Sequence, residues 1–233
     1  MSLDWALQDV VPAPRSTIAD TVFDELRSAI LELRLQPGTK ISEAEIAKRL
    51  GVSRQPVREA FSRLARAGYL RIQPQKATEI MKISTQEVLN AYFIREALEV
   101  ATVRRACERG DDAMLARLGE ILALQEKAQQ SDDREEFHRQ DDAFHLGIAE
   151  AAGCGFAWTL IDEQKAQMDR VRFLSLAFSQ PTAFSDHLQI FAGLEAHDPD
   201  AAEAAMRQHL ARITDILARL RGEFDHYFQD GAA

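Results

Sequence analysis

The chain has 233 residues, 46% hydrophobic and 28% charged, enough for two modest domains that each close an apolar core. No apolar run approaches the roughly 20 residues that span a bilayer, so no membrane partner is expected and a cytoplasmic protein is. The net charge of −9 disfavours a nucleic-acid partner only until its distribution is considered: residues 1–83 carry 13 Lys and Arg against 10 Asp and Glu, and residues 84–233 carry 15 against 27.

Met1–Pro14 has two acids and no apolar stretch behind a basic start, so no secretory leader is expected, and residues 1–14 read as a candidate disordered extension. Cys107 and Cys154 are the two cysteines, far apart, which suits reduced cytosolic thiols better than a disulfide framework. From Thr17 to Leu35 the residues Ile18, Val22, Leu26, Ile30 and Leu33 recur at spacings of four and three, which predicts a helix ended by Pro37-Gly38. Ser42 with Glu45 three positions on is a capping box, the hydroxyl accepting from the Glu45 amide and the carboxylate from the Ser42 amide. The short helix it opens runs to Leu50 and stops at Gly51, after which Ser53 offers the next N-cap. The third helix, Arg54–Ala67, puts Val57, Phe61 and Leu64 on one face and keeps Arg54, Gln55 and Arg58 off it, on the first turns. Tyr69–Gln73 and Thr78–Ile83 then read as two short strands around Pro74-Gln75-Lys76-Ala77.

Helix, tight turn, helix and hairpin together predict a winged helix-turn-helix domain over residues 15–80. In that fold the start of the second helix of the motif enters the major groove, so Arg54, Gln55 and Arg58 are candidate base readers. Arginine can bond both acceptors of a guanine edge, and glutamine pairs with adenine in a similar two-point way. Gln75 and Lys76, at the wing tip, would approach the backbone or the minor groove. Between Lys40 and Lys76 nine basic residues stand against three acids. That local excess favours phosphate over the other use of a winged helix, as a protein-interaction scaffold.

The run from Leu35 to Ile80 also carries Pro37-Gly38, Ile41-Ser42-Glu43, Ile46-Ala47, Leu50-Gly51-Val52-Ser53-Arg54, Pro56-Val57-Arg58-Glu59-Ala60 and Leu64–Gly68. In this it resembles the DNA-binding domain of GntR-type regulators. The resemblance implies base contacts from Arg54 and Arg58 and a minor-groove contact from the wing at Gln75 and Lys76. Two positions depart from the family pattern: Ala44 stands where many members have a DNA-touching arginine, and Gln75 where a wing glycine is common. An operator different from the family consensus is therefore expected.

After a linker at 81–84, residues 85–233 read as all-α, because glycine and proline become sparse and apolar residues recur at helical spacing. Ser84 and Glu87 form another capping box. Helices are predicted near 85–109, 112–130, 133–152, 156–178, 181–196 and 199–222, with a break at Gln180-Pro181 among others. The expected fold class is thus mainly α, a winged helix-turn-helix with a β-hairpin wing followed by an antiparallel helical bundle.

Within the bundle Asp141 and His145 lie one turn apart on one helix, with His187 and His209 on two later ones. Three facing helices could bring one carboxylate and three imidazoles together. Such a set suits a divalent transition metal, zinc first, with nickel, manganese or iron as alternatives. Spacing alone leaves open the plainer reading, in which these are hydrogen-bonded core histidines. The segments Asp141–His145, Ser185–Ile190 and Ala204–Leu210, however, resemble in order and spacing the metal-bearing helices of the FCD ligand-binding domain, the effector domain of the FadR subfamily of GntR regulators. The resemblance implies Asp141, His145, His187 and His209 as ligands, with Asp141 chosen over Asp142. It leaves His138, His197 and His226 as expected surface residues. Gly153-Cys154 departs from the Gly-Asn common in the family.

The first bundle helix, with Tyr92, Arg95, Leu98 and Glu99, also looks like the family's, whose arginine faces the effector. Arg95 is therefore the candidate clamp for a carboxylate, which a guanidinium meets in a two-point fork, and Arg172 is a second candidate. Either arginine reads equally as an ordinary ion-paired residue. The resemblance as a whole implies a homodimeric repressor on a pseudo-palindromic double-stranded operator, its grip modulated by a small organic acid at the metal site. A metal-dependent enzyme is the competing class, against which no general base or nucleophile is placed near the ligands and no catalytic residue is assigned. A regulator that senses the metal itself is the third reading.

Overall fold

Thr17 opens the first helix by exchanging hydrogen bonds with Asp20: its hydroxyl accepts from Asp20 N, and its own amide donates to the Asp20 carboxylate at 2.8 Å. The computed structural model describes residues 17–73 and 77–229; residues 1–14 and the wing-tip residues Gln75 and Lys76 lie outside them. Helix α1 (Ile18–Leu31) turns Val22, Leu26 and Ile30 inward, onto Val57, Phe61 and Leu64 of α3 (Arg54–Arg66). Between them α2 (Glu43–Leu50) starts at Ser42, whose hydroxyl accepts from Glu45 N and donates to the Glu45 carboxylate, so the expected reciprocal bond from the Ser42 amide is replaced by one from its hydroxyl. The helix ends at Gly51 with φ 68°, a left-handed turn that glycine enters without steric cost. Ser53 occupies the N-cap of α3 but makes no side-chain bond there.

Strands β1 (Lys40–Ile41), β2 (Leu70–Arg71) and β3 (Thr78–Ile80) form an antiparallel sheet in the order β1-β3-β2, with Lys40 opposite Glu79 and Leu70 opposite Ile80. The two wing strands are shorter than expected, and β1 was not expected.

The helical part consists of α4 (Thr85–Arg109), α5 (Asp112–Gln130), α6 (Arg134–Ala151), α7 (Gly155–Gln164), α8 (Ala166–Glu195) and α9 (Pro199–Phe224). The expected break at Gln180-Pro181 is absent: α8 runs through Pro181, and the chain breaks instead at Lys165. Proline forfeits one backbone bond and crowds the preceding turn, at about 3 kcal/mol. Burial on both sides of it, by Val171 and Leu176 before and Ile190 and Leu194 after, offsets that cost, since each fully buried aliphatic side chain contributes about 1.5–3 kcal/mol.

The expected linker is itself structured. Strand β4 (Ile83–Ser84) pairs in parallel with β5 (Phe228–Gln229), which follows α9, placing Ile83 beside Phe228. The start of α8 reaches across to the N-terminal unit: Ala166 and Phe173 pack in the core built by α1 and α3, Gln167 Nε2 donates to Gly68 O at 2.7 Å, and Arg170 Nη1 donates to Met81 O at 2.7 Å. No helix among the described residues is long and apolar enough to cross a membrane.

Candidate metal centre and nucleic-acid interface

Helix α6 carries Asp141 and His145, α8 carries His187 and α9 carries His209; one potential ligand atom from each lies within 4.8 Å of all the others. His187 Nε2 is 3.6 Å from Asp141 Oδ1, and His145 Nε2 is 3.8 Å from Asp141 Oδ2. The structure thus brings together the four residues that the sequence nominated.

Each imidazole faces a polar group on a different helix; the contact to His187 is a hydrogen bond, whereas His145 Nδ1 and His209 Nδ1 make none among the described residues. His187 Nδ1 lies 2.8 Å from Gln125 Oε1 on α5, His145 Nδ1 lies 2.5 Å from Glu99 Oε2 on α4, and His209 Nδ1 lies 3.6 Å from Asp186 Oδ2 on α8. An amide oxygen only accepts, so the proton of the His187 ring sits on Nδ1 and Nε2 presents a lone pair. Phe144 stacks on His187 with ring centroids 4.7 Å apart. Neither Gln125 nor Glu99 was assigned this role from sequence. A hydrogen-bonded outer partner such as Gln125 fixes the tautomer and orientation of a metal-binding histidine.

The Nε2 atoms of His145 and His187 are buried and have no hydrogen-bond partner among the described residues. Leaving a buried polar atom unsatisfied costs about 1–3 kcal/mol each. Two such atoms beside one carboxylate are what a divalent cation would satisfy, and three imidazoles with one carboxylate are a donor set that transition metals take. Protonation suits this use. Burial opposes the charge of Asp141, but Arg172 and the surrounding imidazoles outweigh it and hold the carboxyl far below the usual range. Burial pushes His187 well below 6.5, with the neighbouring His209 adding to the effect, and burial also lowers His209 against the pull of Asp186. Asp141, His187 and His209 are therefore shifted toward the forms that bind metal, ionised carboxylate and neutral imidazole.

A cavity of about 320 Å³ opens beside this cluster, lined among others by Arg95, Asp141, Arg172, Ser175, Thr182 and His209. Arg95 is buried, with Nε 2.5 Å from Glu99 Oε1 and Nη1 3.5 Å from Met168 Sδ, while its Nη2 has no partner among the described residues. Arg172 is more committed: it pairs with Asp141, with Asp142 Oδ1 at 3.1 Å and with Asp169 Oδ1 at 2.9 Å. Asp142 also receives Lys165 Nζ at 2.6 Å, so it supports Arg172 rather than the histidines.

One histidine is not where the sequence reading put it. His138 is buried, lines the cavity, meets Phe173 edge-on and lies 3.9 Å from Asp169, whereas His197 and His226 are exposed as expected. It sits three positions before Asp141, and that spacing puts both on one helix face. His138, Asp142 and Asp169 form a second grouping of possible ligands, but Lys165 and Arg172 already neutralise its carboxylates.

At the other end of the molecule Arg54, Gln55 and Arg58 are exposed on the first turns of α3. Arg58 Nε reaches Glu43 Oε2 on α2 at 3.2 Å. Ala44, beside Glu43, is exposed at the start of α2.

A winged helix-turn-helix with an exposed basic helix, backed by a helical bundle with a histidine-lined cavity, is the architecture of a DNA-binding transcription regulator rather than of an enzyme. The chain belongs to the GntR family of bacterial regulatory proteins: residues 18–80 match that family and residues 90–212 match the FCD domain. It is 37% identical to the HTH-type transcriptional repressor RspR of Escherichia coli, over 93% of this chain and 96% of that one. It is 31% identical to the probable D-xylose utilization operon transcriptional repressor of Paenarthrobacter nicotinovorans, over 91% and 93%. The fold is shared with E. coli McbR/YncC, with a TM-score of 0.73 and 22% identity over 88% of this chain and 99% of that one.

Proposed function

We propose that this regulator is a cytoplasmic repressor whose homodimer holds a pseudo-palindromic operator and whose grip is set by a small carboxylate bound at a metal site. Residues 15–80 serve as the DNA-binding domain, 81–84 as the connection and 85–233 as the sensor. Arg54, Gln55 and Arg58 read base edges, with Gln75 and Lys76 of the wing at the minor groove. Asp141, His145, His187 and His209 would hold a divalent cation, zinc foremost, which when bound supplies a Lewis-acidic anchor for an oxygen ligand. Arg95 offers its free Nη2 to the acid, and Arg172 is the second cation on the cavity wall. The names of RspR and of the D-xylose operon relative support repression.

The observation that carries this reading is the pair of orphaned Nε2 atoms of His145 and His187 beside Asp141, which with His209 lines a cavity that also holds an arginine donor without a partner among the described residues.

The test is an operator titration at fixed salt. The operator is selected from random duplex, and the protein is used stripped of metal, loaded with zinc, and loaded with a panel of organic acids added. A change in affinity on adding acid that needs both zinc and His187 supports the reading. A change with zinc alone, unaffected by any acid, favours direct metal sensing. No selected sequence preference in any state would defeat it.

A further inference from the structure

The centre and the DNA-binding unit are joined by a line of alternating charges. Arg27, on α1, donates through Nη2 to Asp169 Oδ2 at 3.2 Å. Asp169 is 1% exposed and also receives Lys165 Nζ at 2.9 Å and Arg172 Nη1 at 2.9 Å. Arg172 in turn pairs with Asp142 and with Asp141, whose other neighbours are His145 and His187. The carboxylates Asp141, Asp142 and Asp169 are faced by the cations Arg27, Lys165 and Arg172, with Asp162 also 3.4 Å from Lys165 and His138 3.9 Å from Asp169. The first link of the line is fixed to the N-terminal core on both sides: Arg27 stands one position after Leu26 of the α1 core, and Asp169 lies between Ala166 and Phe173, which pack in that same core. Asp169, Lys165 and Arg172 are largely buried, so a change of partner at one is felt by the next.

We infer that Arg27 is a positioning residue through which the DNA-binding unit reads the state of Asp141. The inference rests on the proposal that Asp141 is a metal ligand. Once Asp141 turns its carboxylate to a cation, Arg172 keeps only Asp142 and Asp169. It leans on Asp169 more strongly, and Arg27 then shares a carboxylate whose charge is already better neutralised. The contact between α1 and α8 weakens, and the N-terminal unit is held less firmly to the bundle. Coupling of this kind is reciprocal: if cation binding loosens Arg27 from Asp169, removing Arg27 must make cation binding easier.

That reciprocity gives the test, on the full chain with zinc alone as the probe. Zinc affinity is measured by competition with a chelator for the wild type, Arg27→Gln and Arg27→Lys, with His187→Ala as the control for uptake at this site. Exchange of the α1 amides is followed with and without zinc. Arg27→Gln is expected to bind zinc about 5–10-fold more tightly, at the low end of the usual range of coupling between sites. Its α1 is expected to exchange at one raised rate whether or not zinc is present. Arg27→Lys, which keeps the charge, should return to within about twofold of the wild type, and in the wild type zinc should raise α1 exchange. Arg27 is one-third exposed, so Arg27→Gln is expected to fold, and circular dichroism checks this. If zinc binds through His187 but all three proteins share one affinity within twofold, the relay is overturned and the metal site stands. If no variant binds zinc through His187, the metal site and the relay fall together.

Discussion

Gln125 and His187 meet across the bundle, Oε1 to Nδ1 at 2.8 Å, and that one contact decides which nitrogen of the ring looks into the centre. Gln125→Leu keeps the bulk and removes the acceptor. Outer-shell substitutions at metal sites typically cost about 10–100-fold in affinity. Zinc affinity measured by chelator competition is expected to fall in that range, with operator binding by the stripped protein unchanged. An unaltered zinc affinity would mean that the ring is oriented by something else.

Arg58 is held at rest by Glu43, at 3.2 Å. If it reads a base, Arg58→Ala should lose about 1–3 kcal/mol of specific binding and relax preference at one operator position, as followed by titration of single-base operator variants. Glu43→Gln frees Arg58 and removes a negative charge near phosphate, so it should tighten binding a few-fold at low salt and less at high salt. A loss that is equal across all sequences would reduce Arg58 to a phosphate contact.

Acid should weaken the metal-stripped protein before its carboxylates titrate. Burial holds His138, His187 and His209 below the ordinary imidazole value of 6.5. The unfolded chain takes up protons that the folded one refuses. The contribution of these histidines to stability is therefore full above 6.5 and is lost as pH falls from there through their folded values. Asp141 and Asp186 are depressed carboxyls, Asp186 to about 2, so their contribution is retained down to the ordinary carboxylate range near 3.8 and goes only below it. Melting curves in chelator should show Tm falling between pH 7 and 5, by about 2–4 °C for each kcal/mol lost in a chain of this size. A flat Tm over that interval would contradict the neutral, buried imidazoles.

Leu89 and Phe93 on α4, and Phe156 and Leu160 on α7, are exposed on helices that pack against each other, with Phe93 71% and Phe156 68% exposed. Large aromatic exposure on neighbouring helices is what a second copy of the chain would cover in the proposed homodimer. Phe93→Glu should yield monomers by analytical ultracentrifugation and weaken operator binding by well over tenfold, because only one recognition helix then engages. A Phe93→Glu protein that stays dimeric would move the interface elsewhere.

Capping chemistry made the helix starts legible: Ser42, Ser84 and Asp111 each accept from the amide three residues on, and α4 and α5 begin and end where periodicity put them. The two-residue strands were less legible, because two residues carry no alternation and β1, β4 and β5 are defined by partners distant in sequence. Pro181 misled because its local cost was weighed without the burial on either side. The four centre residues were read through family likeness as well as spacing, yet their supports left a signal too. His138, Asp141 and His145 follow a three-and-four spacing on α6, and Gln125 falls on the buried stripe of Leu118 and Leu122 on α5. A lone polar residue on an otherwise apolar stripe has to find a partner, and here that partner is a ring of the centre.

The pairing of Ile83 with Phe228 has a consequence for how the molecule is made. During vectorial synthesis the helices and strands of the winged unit are all outside the ribosome soon after residue 80, and its core is completed when Ala166 and Phe173 follow, still well before Phe228. The bundle, by contrast, has its first strand held open until its last one emerges. A newborn chain therefore owns a DNA-gripping end well before it owns a finished sensor, and the closing stitch that completes the sensor is also the one that orders the connection between them.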